Sequence, residues 1–385
     1  MRRWLLPEHI EDILPREARA MERLRRRILD EFEVHGYQLV MPPLAEYVES
    51  LLTGTGHDMD LATFRIVDQL SGRMMGVRAD HTPQVARIDA HLLDRKGVTR
   101  LCYCGSVLHT RPAGMTRTRE PVQIGAELYG HAGLEADIEV ARLMLAAFAK
   151  AGVAGIKLDI GQPGIFRALA QAARLEGERV ETMFEAVQQK NAAGIAEATQ
   201  GLQTTLAAGF ASLPRLHGDR SVLAKARAIL PKVAGIDAAL DDLERLAQAL
   251  AGEGVDIGFD LAELGGFNYE NGIVFAAFTP SSPDAVARGG RYDGIGRAFG
   301  RARAATGFTM DLRQLTALVP EGEAKGAILA PATGDAALAS EIARLRTSGE
   351  VVVQALPGHE GTEDELGCDR RLVAADGRWT VAKRK

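Results

Sequence analysis

The stretch 100-RLCYCGSVLHTRPAGMTRTREPVQIGAELYG-130 carries the densest pattern in the chain and reads as two strands joined by a basic loop. Leu101 to Leu108 is an apolar and β-branched run interrupted by Gly105. Pro112, Gly114 and Pro121 then punctuate a loop bearing Arg111, Arg117 and Arg119. From Val122 the alternation is strict: Val122, Ile124, Ala126 and Leu128 point one way, and Gln123, Gly125, Glu127 and Tyr129 the other. One face is therefore core. On the other, Gln123 and Glu127 stand about 13 Å apart at ~3.3 Å per residue, with Gly125 between them. The missing side chain leaves a floor on which a small molecule could lie. An amide at one end and a carboxylate at the other suit a ligand with an ammonium and further polar groups. The same alternation also fits the polar outer face of an ordinary antiparallel sheet.

At 385 residues the chain exceeds what one compact core accommodates, and two domains are expected. Its composition, 46% hydrophobic and 25% charged, is that of a globular protein, and its net charge of −5 argues against a nucleic-acid partner. Cys102, Cys104 and Cys368 fit buried thiols in a reducing compartment; the spacing of the first two is not that of a zinc site, and no metal or cofactor is expected. No apolar run is long enough to span a membrane and the first residues lack the core of a secretion signal, so a cytoplasmic location is expected.

Around the central hairpin the other elements fall into order. Arg16 to His35 reads as a helix with Met21, Leu24, Ile28 and Phe32 on one stripe, closed by Gly36 and followed by a strand, Tyr37 to Met41, and Pro42-Pro43. A strand from Arg73 to Val77 leads into Arg78-Ala79-Asp80-His81-Thr82-Pro83. There Thr82 is expected as an N-cap, with a helix to about Arg95 burying Val85, Ile88 and Leu92. Asp80 and Thr82 thus sit at a strand end beside a helix N-terminus, where they either cap the helix or face a ligand. Residues 162–252 form an alanine-rich helical insertion. Gly289-Gly290-Arg291-Tyr292-Asp293-Gly294 reads as a tight glycine turn, and residues 325–385 as a small C-terminal α/β domain.

These motifs together resemble the class II histidyl-tRNA synthetase catalytic domain over residues 1–318. The helix ending in Pro42-Pro43 is similar to its first, dimer-forming motif, residues 100–130 to its second, and Gly307 to Leu315 to its third; Arg78-Ala79-Asp80-His81-Thr82 stands where that family has arginine-proline-glutamate-glycine-threonine. The resemblance implies an α+β fold, an antiparallel sheet flanked by helices, a homodimer and a pocket for free L-histidine. By residue, it implies that Asp80, Thr82, Gln123 and Glu127 hold the ammonium and carboxylate of histidine, and that Tyr269 lines the imidazole side. Three departures bear on activity. The family's arginine positions fall on His109 in the second motif, Gly265 in the arginine-glycine-leucine-aspartate-tyrosine loop, and Gln314 in the third. Adenylate formation needs fixed positive charge at the α-phosphate, which these residues cannot supply.

A histidine pocket without adenylating arginines resembles the regulatory subunits of ATP phosphoribosyltransferase. That resemblance implies a non-catalytic chain that pairs with a short-form catalytic subunit in the first step of histidine biosynthesis, supports its activity and carries feedback inhibition by histidine. A divergent histidyl-tRNA synthetase, with Arg111 or Arg313 substituting for the missing arginines, and another histidine-sensing paralogue are the alternatives.

Overall fold

A computed structural model of the protein describes residues 4–54, 57–112, 118–265, 270–319, 326–358 and 364–384. Two compact units are present, one reaching to Pro320 and the other from Glu321 onward. The alternating stretch of the larger unit forms the strand Val122–Tyr129 in a nine-stranded sheet. Across that sheet the order is Gln38–Leu39, Thr99–Ser106, Val122–Tyr129, Ala305–Asp311, Ser282–Arg291, Val274–Thr279, Lys157–Gly161, Asp256–Asp260 and His217–Gly218. Gln38–Leu39 joins its neighbour in parallel, as does Lys157–Gly161 with Asp256–Asp260; the other pairings are antiparallel.

Burial follows the pleat. Ile124, Ala126 and Leu128 project into the main core with Leu24, Ile28 and Phe32 of the helix Pro15–Val34 and Val140 and Met144 of the helix Leu134–Ala151. The opposite face is also closed, as the expectation of a polar second face did not foresee. Leu101, Tyr103 and Tyr129 pack there with Val85, Tyr292 and Ile295 in a second apolar cluster. Both faces of the central hairpin are therefore interior around Glu127, whose carboxyl is desolvated, while Gln123 at the other end of the second face is half-buried.

Several local expectations are corrected. Thr82 does not cap its helix: it is the first residue of the helix Thr82–Arg87, the N-cap is His81, and the Thr82 hydroxyl turns away toward two carboxylates. Asp80 instead accepts the Thr82 backbone N–H at 3.2 Å. The helix continues only as a π-turn segment, Ile88–Leu93. Its wider turn advances the chain out of α-helical phase, so Leu92 is 63% exposed and Leu93 packs inward in its place. Gly289 and Gly290 are not a turn but lie within the strand Ser282–Arg291, because Phe275 packs where one side chain would stand and the Ile273 carbonyl where the other would. Gly105 likewise lies inside its strand, leaving room for the Arg78 guanidinium. The strand Phe64–Val67, which pairs with Met74–Val77, has almost no alternation in burial and gave no sequence signal. Cys104 is half-buried rather than fully so.

Between Gln162 and Gly252 the chain forms six α-helices, Pro163–Ala172, Glu178–Gln188, Ala192–Ala198, Thr204–Ser212, Ser221–Ile229 and Ile236–Ala249. Phe166 packs edge-on against both Phe184 and Phe210 at 5.6 Å, tying three of these helices together. In the C-terminal unit the strands run in the order Val352–Gln354, Ala327–Ala330, Cys368–Ala375 and Arg378–Lys383. The helix Ala336–Thr347 buries Leu338, Ile342 and Leu345 against Ile328, Val352 and Leu372. Asp335 caps that helix through the Ala337 N–H at 2.9 Å and accepts the Trp379 indole N–H at 2.6 Å. Among the described residues no helix is long and apolar enough to cross a membrane.

Candidate functional site

Four of the expected site residues converge on the second face of the hairpin. Glu127 is 1% exposed, and its Oε1 accepts from the Tyr103 hydroxyl at 3.1 Å and the Thr82 hydroxyl at 3.2 Å. Its Oε2 is bonded to the Tyr292 hydroxyl, which also meets the Tyr129 hydroxyl at 3.3 Å. The Thr82 hydroxyl lies 3.3 Å from Asp80 Oδ1 as well. A hydroxyl has one proton to give, so Thr82 cannot donate to both carboxyl groups at once. Gln123 takes up the far end: its Oε1 accepts the His81 backbone N–H at 3.1 Å and lies 3.0 Å from His81 Nδ1.

The electrostatics follow from this dry setting. Burial pushes the Glu127 carboxyl up to about 8, against the hydrogen bonds from Tyr292, Tyr103 and Thr82 and reinforced by the nearby Asp80 charge. Burial also raises Asp80, opposed by donors from Thr82, Gln123 and His81. Among the described residues, neither carboxyl has a cation as a hydrogen-bonding partner. Without a ligand cation beside it Glu127 is therefore largely the neutral acid at neutral pH, and an arriving ammonium would stabilise its ionised form.

Glycines make room for this arrangement in a way that corrects the expected floor. The gap at Gly125 is filled from the opposite strand by Tyr103, its register partner, whose hydroxyl lies 2.5 Å from where a Cβ would stand. Tyr103 is wholly buried, and it is this phenol, not bare backbone, that separates Gln123 from Glu127. Gly307, paired with Glu127, is required for a similar reason: a methyl there would overlap the Glu127 carboxylate. Tyr103 and Tyr292 were missed in the sequence. The first carried a legible signal, a large aromatic facing a glycine across a hairpin. The second did not, because two glycines erase the periodicity before it and 165 residues separate it from Glu127.

The remaining expected positions are spoken for elsewhere. His109 Nε2 bonds the Ala79 carbonyl at 2.9 Å. Gly265 has φ +61° and the Glu270 carboxylate packs over it, so a side chain there would be both strained and blocked. Gln314 donates to the Ser282 hydroxyl at 3.0 Å. Arg313 reaches the Glu11 carbonyl at 3.4 Å and faces the Glu11 and Glu120 carboxylates at 3.8 and 3.9 Å, while Arg111 is exposed. Tyr269 and Arg117 lie outside the described residues.

Known proteins share this architecture along the whole chain. Residues 9–315 match the family model described as Histidyl-tRNA synthetase, and residues 325–382 the one described as ATP phosphoribosyltransferase subunit HisZ C-terminal domain. An ATP phosphoribosyltransferase regulatory subunit of Azoarcus sp. (strain BH72) is 56% identical over 379 residues, 98% of each chain. Its counterpart in Ralstonia nicotianae is 55% identical over 385 residues, covering 100% of this chain and 99% of the relative. Among solved structures, an ATP phosphoribosyltransferase regulatory subunit/histidyl-tRNA synthetase from Bacillus halodurans C superposes with a TM-score of 0.83 at 27% identity, over 95% of this chain and 96% of that one. A histidyl-tRNA synthetase from Nostoc sp. PCC 7120 shares the fold at a TM-score of 0.79 and 16% identity, over 99% and 97% of the two chains. A synthetase-like class II fold completed by a C-terminal unit of the HisZ type, with relatives more than half identical end to end, places the chain in the family of ATP phosphoribosyltransferase regulatory subunits.

Proposed function

We propose that this chain is the histidine-sensing, non-catalytic subunit of an ATP phosphoribosyltransferase whose catalytic partner is of the short form. One observation carries the reading: two carboxyl groups, the buried Glu127 and the half-buried Asp80, share the Thr82 hydroxyl, and among the described residues no cation is hydrogen-bonded to either. Such a site binds a small ammonium compound better than it tolerates being empty. Gln123, with one amide proton directed at Asp80, offers its other to the ligand's carboxylate. Tyr269 is assigned to the imidazole side by family resemblance. His109, Gly265 and Gln314 leave no guanidinium at three positions where an adenylating site would use one, so the bound amino acid acts as a signal rather than a substrate. Adding the purified chain to the isolated catalytic subunit should raise phosphoribosyl transfer from a low basal rate, and L-histidine should then suppress it. The chain alone should give no histidine-dependent ATP–pyrophosphate exchange; exchange that a Gln123→Ala variant loses would establish a divergent synthetase instead.

The reading includes a homodimer built through the segment from Arg16 to Met41. Its support is the open outer edge of Gln38–Leu39, flanked by a groove of about 660 Å³ lined by Arg25, Leu29, Glu33 and Tyr37. Leu39, Met41 and Leu44 are all exposed along it, an apolar edge that a symmetry-related copy would cover. Light scattering at micromolar concentration should give twice the chain mass, and a monomer there would refute the dimer.

A further inference from the structure

His81 lies in the chain between two expected ligand-binding residues, Asp80 and Thr82. It is 1% exposed, and its ring stacks on Tyr103 with centroids 4.7 Å apart and planes 9° from parallel. A backbone N–H can only donate, so the Gln123 atom 3.1 Å from the His81 nitrogen is the amide oxygen. The ring nitrogen 3.0 Å from the same oxygen must then also carry a proton. Two further observations fit that arrangement. The imidazole is held down to about 4 by burial and by the Arg78 guanidinium, so it stays neutral with its proton on Nδ1. Gly105, the register partner of Gln123, leaves the space into which Arg78 and the bare Nε2 edge of His81 project. With its oxygen doubly engaged, the Gln123 amide presents only N–H donors to the site, one of them directed at Asp80.

We propose that His81 sets the polarity of the site: by pinning the Gln123 oxygen it makes that end a donor, so the ligand must place a free carboxylate there and its ammonium at Asp80 and Glu127. The inference deepens the histidine-binding reading and rests on it. His81 is a positioning residue, since it acts through Gln123. A carboxylate only accepts, whereas an amide or alcohol in its place has a single accepting oxygen and brings N–H or O–H protons that face donors and find no acceptor at this end. Removing the Nδ1 donor leaves only the backbone N–H to hold the oxygen, and the amide gains freedom to turn it toward such a ligand.

The test is calorimetric titration of L-histidine and L-histidinamide into the full chain, wild type and two variants. His81→Phe keeps the ring stack and removes the donor; His81→Asn keeps an N–H on the atom that follows Cγ, in the place of Nδ1. The preference for histidine over histidinamide should fall roughly tenfold in His81→Phe, about the contribution of one such hydrogen bond, and be retained in His81→Asn. An unchanged preference in His81→Phe, with histidine still bound, overturns the inference alone. A flat titration of the wild-type chain overturns the histidine reading and this inference with it. The imidazole 15N shifts of wild-type His81, assigned through bonds from its backbone resonances, give a readout that needs neither ligand nor variant. A proton on Nδ1 and no titration down to pH 5 are expected, and a proton on Nε2 overturns the proposal even if the variants fail to fold.

Discussion

Glu127→Gln should weaken L-histidine binding about a hundredfold while leaving the fold intact, because the substitution imitates the empty site and not the occupied one. With its carboxyl pushed up to about 8, Glu127 is mostly the neutral acid at pH 7, and glutamine matches that acid in shape and charge. The occupied site is different: a ligand ammonium needs the carboxylate. Losing one charge-assisted partner in a desolvated pocket costs on the order of 2–3 kcal/mol, which is roughly a hundredfold in affinity. A pH dependence comes with it. Below about 8 the wild-type site must release the Glu127 proton to bind, so affinity should climb as pH rises from 6 toward 8, and this slope should vanish in Glu127→Gln. Calorimetry in two buffers of different ionisation enthalpy reads the released proton directly. The sign for stability is the reverse. A carboxyl raised on folding stabilises the fold below its unfolded value and loses that contribution as pH passes upward through its folded value. The ligand-free wild-type chain should therefore lose stability relative to Glu127→Gln as pH rises from about 4.5 to about 8, and the difference should level off above 8.

Arg291→Met should cost about 3–5 kcal/mol of stability, since it removes one partner of a buried ion pair. The Arg291 guanidinium donates to Asp137 at 2.8 and 3.1 Å, to the His131 and Gly133 carbonyls at 3.2 and 3.0 Å and to Asp293 at 3.2 Å; the Arg291 and Asp137 side chains are 8% and 4% exposed. Without it Asp137 stands charged in a site where burial already raises its pKa against the pull of Arg291. The loss should accordingly be largest at pH 8 and shrink as falling pH protonates Asp137. Adding Asp137→Leu should recover much of it, because two apolar groups replace a pair instead of orphaning half of one. Urea midpoints followed by circular dichroism at pH 5.5 and 8 check the size and the direction. The strand end that Arg291 anchors also delivers Tyr292 to Glu127, so Arg291→Met should weaken histidine binding in whatever fraction remains folded.

The sequence made the central strand legible because its two faces differ in chemistry at every second residue. Ile124, Ala126 and Leu128 went to the main core, and Gln123 and Glu127 to the other face. It made Asp80 and Thr82 legible as neighbours of that face but not their bonding, since a threonine before a proline looks the same whether it caps a helix or bridges two carboxyls. What stayed hidden depended on contacts distant in sequence. Tyr103 fills the gap at Gly125 only because the hairpin register sets them opposite each other, and Tyr292 arrives from the far side of the helical insertion. The π-turn at Ile88–Leu93 has no compositional mark; it exchanges the buried roles of Leu92 and Leu93 through backbone geometry alone.

The most direct measurement of the central claim is the histidine inhibition curve of the reconstituted ATP phosphoribosyltransferase, run with wild-type and Glu127→Gln chains beside the same catalytic subunit. Inhibition by way of this pocket predicts equal uninhibited turnover and a half-inhibitory histidine concentration roughly a hundredfold higher for Glu127→Gln. Superimposable curves would contradict it, and would place the feedback site outside the cluster of Asp80, Thr82, Gln123 and Glu127.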